Sequence, residues 1–559
     1  MASNKIIIYQ IFTRLFDNKN QTRKPFGTIE ENGCGKFRNF TPTVLKQIRE
    51  MGVSHVWYTG IIRHATMTDY TRYGIPRQHP AVVKGRAGSP YAITDYYDVD
   101  PDLAVDVEKR MEEFEKLVAR THRAGLKVII DFVPNHVARQ YHSICKPKGV
   151  RDLGEDDNPE IGFDPMNNNF YYCTGQSFTP YFDLYHGETE PYTECPAKAT
   201  GNDCFNNAPG RNDWYETVKL NYCVDYYAGQ TPSSLHLIPE QSLPTHSLSR
   251  STFNLPPNTW QKMLDILLFW ASKGIDGFRC DMAEMVPHAF WTWATGKVRE
   301  HYPSILFIGE VYNPQLYRQY LASGFDYLYD KVGMYDVLRD VICHHRQTNA
   351  ITWAWQQTDD IQDHMLYFLE NHDEQRIASD FFAANGEKAV PALVVSTLLQ
   401  RNPFMFYYGQ EWGEQGMDSE GFSGHDGRTT IFDYWSLQPK TTVLTAIYRK
   451  VLGIASKEKA VTQGRTFDLM YVNPQYVWQY AFLRKAGDNL LLVVANFEDT
   501  PVEMELSVPD HAYDYLEIQE RAYQSHDLLN DTDRSMVMIK GETVRLTLPP
   551  RGAVVYQLK

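Results

Sequence analysis

The stretch TWQKMLDILLFWASKGIDGFRCD, residues 259–281, decides the fold. Its first part repeats apolar residues at helical spacing and closes on Gly274, a helix stop. Its second part, GIDGFRCD (274–281), is a short apolar run that ends in charge. A helix feeding such a strand is one repeat of a parallel α/β sheet. Side chains alternate along a strand, so Arg279 and Asp281 share one face. Cys280 takes the other face and is expected to pack against outer helices.

The same unit recurs on both sides of this stretch. Apolar segments lie at 5–12 (KIIIYQIF), 53–61 (VSHVWYTGI), 126–133 (LKVIIDFV), 305–312 (ILFIGEVY), 325–330 (FDYLYD), 365–373 (MLYFLENHD) and 403–411 (PFMFYYGQE). With 274–281 they make eight strands, apolar throughout as strands buried on both faces should be. Helical patterns run between them, around 42–51 and over 107–125, where Gly125 is again the stop. Eight such units predict a TIM barrel. The rhythm breaks after the third strand. Residues 137 to about 230 hold Pro, Gly, Asn and aromatics with no periodicity, too long for a bare loop. From about 455 short alternating runs with turns such as Gly487-Asp488-Asn489 predict an antiparallel β-sandwich. The expected division is a barrel from 1–136 and 231–455, an irregular domain inserted at 137–230, and a β domain at 456–559.

Composition narrows the chemistry. The chain has 559 residues, 43% of them hydrophobic, which suits a folded core of two or three domains. Mean hydropathy is −0.45. The formal charge is −14, from 69 acidic and 55 basic residues, which argues against a nucleic-acid partner. The 36 tyrosines and 11 tryptophans fit a large aromatic core, and equally fit stacking on the apolar faces of sugars. The eight cysteines include no C-x-x-C pair, so a zinc site by spacing is not expected. A disulfide or two among the five cysteines from 145 to 223 stays open, with free thiols the favoured expectation because the start shows no leader. The start, MASNKIIIYQIF, lacks a leader's apolar run and cleavage site. No stretch approaches the roughly 20 apolar residues of a membrane span. The expectation is a cytoplasmic chain, or a secreted or periplasmic one if a leader has been removed. Nothing in the sequence sets an oligomeric state.

Polar residues at the C-terminal ends of barrel strands mark a reaction centre. Strand four ends in Arg279 and Asp281, where a paired arginine would orient a carboxylate. Strand five ends in Gly309-Glu310-Val311, an acid after an apolar run. Strand seven ends in Glu370-Asn371-His372-Asp373, with Arg376 following. Strand three ends in Asp131-Phe132-Val133-Pro134-Asn135-His136. Retaining glycosidases need two carboxyl groups about 5–5.5 Å apart, and Asp281 and Glu310 end neighbouring strands.

These segments, DFVPNH, GFRCD, GEV and ENHD in this order, resemble the four signature regions of the α-amylase family of glycoside hydrolases. The resemblance covers about 5–440. It implies a retaining hydrolase cleaving α-1,4 bonds of starch, glycogen or maltodextrins. Asp281 resembles the nucleophile, Glu310 the acid/base and Asp373 the transition-state stabiliser. Arg279, His136 and His372 resemble residues that bind the sugar at the cleavage point. Tyr91, in SPYAITDYYDVDP, resembles a tyrosine that stacks on it, although Pro90 replaces the usual glycine. VKLNY (218–222) resembles a fifth, weaker region. Asn135 matches a calcium ligand of the family, so calcium is the one metal implied; no organic cofactor is. Glu284 and Met285 stand where many α-amylases carry lysine and histidine. That departure leaves room for a transglycosylase on the same fold. A non-catalytic glucan-binding relative would be expected to lose a carboxylate, and a metal-dependent hydrolase would need a spacing such as H-E-x-x-H.

Overall fold

The computed structural model describes residues 5–182, 190–234, 256–417 and 427–559. The first four residues of the amino-terminal stretch lie outside them, as do 183–189 of the segment after strand three.

Eight parallel strands close into a barrel: β1 Ile7–Phe12, β2 His55–Thr59, β3 Lys127–Phe132, β4 Gly277–Cys280, β5 Leu306–Gly309, β6 Tyr327–Tyr329, β7 Met365–Phe368 and β8 Phe404–Tyr407. The last strand pairs with the first, Ile7 opposite Phe404. Period-two alternation divides their side chains into two layers. Ile8, Trp57, Ile129, Ile308, Tyr329, Leu366 and Met405 fill the barrel interior as one cluster. Val56, Tyr58, Val128, Ile130, Phe278, Phe307 and Phe406 belong to the larger core outside it. Cys280 is fully buried in that outer core. All eight cysteines are unpaired.

The helices are set by local signals. Helix α1, Pro42–Glu50, starts with Thr41 capping the Val44 N–H and Pro42 at the first position. Helix α2, Arg110–Arg123, buries Phe114, Leu117, Val118 and Thr121, a stripe at helical spacing. It ends before Gly125, whose φ of +75° suits glycine. Helix α3, Asn258–Ser272, buries Trp260, Met263, Leu264, Ile266, Leu267 and Trp270 and leads into β4.

Two excursions rise from the C-terminal ends of the strands. One follows β2 and folds as an antiparallel pair, Ile62–His64 with Ile93–Val99; it carries Tyr91. The sequence reading did not see this pair. The other follows β3. It is tied to the barrel by His136–Ala138 pairing with Thr217–Lys219, and holds a second short pair, Tyr172–Cys173 with Ala197–Lys198.

The C-terminal part is antiparallel: β9 Arg465–Asp468, β10 Gln479–Ala486, β11 Asn489–Asn496, β12 Val502–Ser507, β13 Arg521–Asp527, β14 Thr532–Met538, β15 Thr543–Leu548 and β16 Ala553–Leu558. Six strands form one sheet in the order β9-β10-β11-β16-β13-β14, and β12 pairs with β15. The β10–β11 hairpin turns at Gly487-Asp488, with φ +56° at the glycine. Arg484 of β10 is fully buried and donates to the carbonyls of Leu399, Ala460, Val461 and Gly464, bonding the sheet to the barrel. Among the described residues no helix is long and apolar enough to cross a membrane.

Candidate active site

Strand register builds the site. Arg279 of β4 lies opposite Asp131 of β3 and Ile308 of β5. One step on, the Asp281 N–H donates to the Phe132 carbonyl at 2.9 Å, and the Glu310 N–H to the Cys280 carbonyl at 3.1 Å. The ladder therefore delivers Asp281 and Glu310 side by side at the rim.

Arg279 sits at the centre, 1% exposed. Its Nη1 is 2.8 Å from Asp281 Oδ1 and 3.5 Å from Asp131 Oδ1, and its Nη2 is 2.8 Å from Glu310 Oε2. Its Nε donates to the Tyr329 hydroxyl at 3.2 Å. The rings of Trp57, Tyr91 and Tyr329 surround the guanidinium at 5.1–5.6 Å. Asp373 adds a fourth carboxyl. Burial pushes Asp281 up, with Glu310, Asp373 and Asp131 adding repulsion and Arg279 opposing. Burial also raises Asp373, and it brings Asp131 up to about 6, against the pull of Arg279 and a 3.0 Å hydrogen bond from Trp57 Nε1. One guanidinium faces the buried carboxyls of Asp131, Asp281 and Glu310, with Asp373 at the more exposed edge, so the charge on Asp281 depends on its neighbours.

Glu310 is oriented by two donors. Its Oε2 accepts the Met282 N–H at 2.8 Å, and its Oε1 accepts the Tyr312 hydroxyl at 2.8 Å. Met282 has φ +45° and ψ +42°, left-handed backbone that costs a non-glycine residue about 1–2 kcal/mol. That strain aims its N–H at Glu310. Glu284, where the sequence departs from the usual lysine, turns away from this role. Its Oε2 accepts the N–H groups of Tyr312 and Asn313, both at 3.0 Å, so it braces the loop that carries Tyr312.

His372 and Tyr91 close one side. Gln10 Nε2 donates to His372 Nδ1 at 2.8 Å, which places the ring proton on Nε2. That nitrogen bonds the Tyr91 hydroxyl and lies 3.0 Å from Asp373 Oδ2. The two rings stack with centroids 5.2 Å apart. Burial holds His372 well below the usual histidine range, so it is a neutral donor. Tyr91 thus joins the pocket although Pro90 precedes it. His136 is also neutral, brought down to about 3 chiefly by burial and hydrogen-bonded to the Tyr91 backbone. The Trp214 ring of the insert lies 5.3 Å from it.

The structure therefore gathers Asp281, Glu310, Asp373, Arg279, His136, His372 and Tyr91 at one rim. Asn135 faces the insert instead. Its Oδ1 accepts from Lys219 Nζ at 2.8 Å and its Nδ2 donates to the Gly201 carbonyl at 2.7 Å. An ammonium already stands where a cation would meet the amide oxygen, so these residues do not fit calcium. The single group of His, Cys, Asp or Glu with metal-ligand spacing among the described residues is Asp95, Asp98 and Cys145. Arg63 lies 3.1 Å from both aspartates and Arg110 is 2.7 Å from Asp98, which neutralises it.

Sequence reasoning missed Gln10, Trp57, Tyr312 and Tyr329 as site residues. Gln10, Trp57 and Tyr329 sit at inward positions of β1, β2 and β6, and Tyr312 follows Glu310 by two. An inward polar or aromatic residue near a strand's C-terminal end was the available signal.

A closed parallel barrel with carboxyl groups clustered around one arginine at its C-terminal rim has the layout of a TIM-barrel glycosidase. The comparisons fix which kind. A family model described as "Alpha amylase, catalytic domain" matches residues 10–160 and 253–461, and one described as "Alpha amylase, C-terminal all-beta domain" matches 477–559. The chain belongs to the α-amylase family of glycoside hydrolases. It is 22% identical over 529 residues to neopullulanase 2 of Thermoactinomyces vulgaris, covering 91% of this chain and 72% of that protein. It is 20% identical over 509 residues to cyclomaltodextrin glucanotransferase of Bacillus licheniformis, covering 88% of this chain and 58% of the other. Its fold matches a maltogenic α-amylase, AmyB, from Thermotoga neapolitana with TM-score 0.63 and 19% identity, over 100% and 99% of the two chains.

Proposed function

We propose that the chain is a retaining α-glucan hydrolase with Asp281 as nucleophile and Glu310 as general acid/base. The observation that carries this reading is the ion pairing of both carboxyls with the Arg279 guanidinium, at 2.8 Å each. Both carboxyls thus meet on one guanidinium at the ends of neighbouring strands, which favours the short separation of about 5–5.5 Å that retaining enzymes use. Glu310, held by Met282 and Tyr312, protonates the glycosidic oxygen. Asp281 attacks the anomeric carbon and a glycosyl ester forms. Glu310 then takes a proton from water, which attacks the ester carbon and returns the α configuration. Asp373 and His372 face the sugar as its ring flattens, and Tyr91 supplies a stacking face. His136 and Arg279 complete the binding of the sugar at the cleavage point. We assign 137–230 to shaping the cleft and 456–559 to capping the barrel, which the bonds of Arg484 support.

The likeness to a glucanotransferase supports a second reading, in which a sugar hydroxyl replaces water. Both follow from a product time course on maltoheptaose, amylose, pullulan, a cyclic maltodextrin and sucrose, with Asp281→Asn as control. Short maltodextrins absent from the control are the expected result. Products longer than the substrate would move the assignment to transglycosylation. No turnover of any of them would remove it.

A further inference from the structure

The calcium ligand implied by Asn135 points to a different device. Lys219 is 2% exposed and lies in the strand that ties the insert to the barrel, paired with His136. Its Nζ is 2.8 Å from Asn135 Oδ1 and 2.6 Å from Asp203 Oδ1, and it stands 5.1 Å from the Tyr226 ring centroid. Asn135 belongs to the barrel rim; Asp203 and Tyr226 belong to the insert. The Gly201 carbonyl is taken by Asn135 Nδ2. Calcium needs six to eight oxygens, whereas this pocket offers an ammonium's share. One carboxylate balances one ammonium, with an amide oxygen and an aromatic face completing it. Burial works against the Lys219 charge and Asp203 supports it.

We propose that Lys219 is a built-in cation that joins the insert to the barrel at the place where the family resemblance implies calcium, so that the chain folds and is stable without bound calcium. The join also sits behind the sugar-binding side. Gly201, bonded to Asn135, packs on His136 so closely that an added Cβ would lie 2.9 Å from the His136 side chain. The proposal does not depend on the reaction assigned to the site.

The test is calorimetric. Wild-type protein would be melted in EGTA and in millimolar calcium chloride, and calcium binding measured by equilibrium dialysis. The expected result is no calcium retained and the same Tm within about 1 °C, since a ligand of the folded state would raise it. Lys219→Met keeps the stem and removes the charge; its Tm should fall by at least about 5 °C. Adding Asp203→Asn to Lys219→Met should recover part of that loss, because the two charges are coupled. A wild-type Tm that rises by several degrees in calcium, or a Lys219→Met variant as stable as wild type, would overturn the proposal. If Lys219→Met does not fold, the wild-type melts and Asp203→Asn decide: Asp203→Asn alone must lower the Tm, again without a calcium effect.

Discussion

Two buried arginines stand on the same face of the barrel and live in opposite conditions. Arg376 is balanced. Its Nη1 pairs with Glu370 at 2.9 Å, its Nε donates to Thr429 and its Nη2 to the Tyr408 carbonyl. The second Glu370 oxygen accepts the Ile377 N–H at 2.7 Å. Arg279 is outnumbered: the carboxyls of Asp131, Asp281 and Glu310 all meet one cation. Asp131 Oδ1 has no hydrogen-bond donor, and Arg279 Nη2 meets Glu310 without hydrogen-bond alignment. A satisfied buried pair holds structure; an unbalanced one stores charge that substrate and transition state can use.

The largest effect that sharpens this contrast is on Asp281. Asp281→Asn should lower kcat by roughly four orders of magnitude, about 5 kcal/mol of barrier. Because it removes a charge from an overloaded cluster, its Tm should hold or rise. Steady-state kinetics and a melt on one preparation check both. A clear fall in Tm would show that the cluster is balanced after all.

Glu370→Gln should do the reverse. It strands Arg376 in the core, and breaking a buried pair costs about 3–5 kcal/mol. Denaturant unfolding should show that loss, with kcat of the folded fraction much less affected. An unchanged midpoint would erase the distinction drawn between the two arginines.

The smallest effect is a pH dependence. Asp131 is raised to about 6 in the fold, against about 4 unfolded. Between those values the folded state holds the proton and the unfolded state does not. The stability tied to Asp131 is therefore present below pH 4 and lost as pH rises through 6, about 3 kcal/mol in all. Asp131→Asn should not pay that loss. Its Tm advantage over wild type should open between pH 4 and 6 and stay constant above. An advantage independent of pH would contradict the raised carboxyl.

The barrel was legible because its strands are apolar on both faces and their helices end on glycine, as at Gly125 and Gly274. The carboxyls were legible because charge at the end of an apolar strand is conspicuous. The excursion after β2 was not, since its buried strands Ile62–His64 and Ile93–Val99 are interrupted by Arg63, Asp95 and Asp98, whose charges are matched only in three dimensions. Strands β13 and β14 were missed for a different reason. They lie at one end of the six-stranded sheet, and outside the short run Met536-Val537-Met538 they alternate buried residues such as Tyr523 and Ser525 with exposed, mostly polar ones. The role of Lys219 could not be read from VKLNY, because its partners come from residues 135 and 203.

The most direct test of the central claim is the anomeric form of the first product. Proton NMR of fresh enzyme acting on maltoheptaose should show the α-anomer growing first and the β-anomer following by mutarotation, as a covalent intermediate on Asp281 requires. A β-anomer that appears first would contradict the account, because it would mean a single displacement by water and a different task for Asp281.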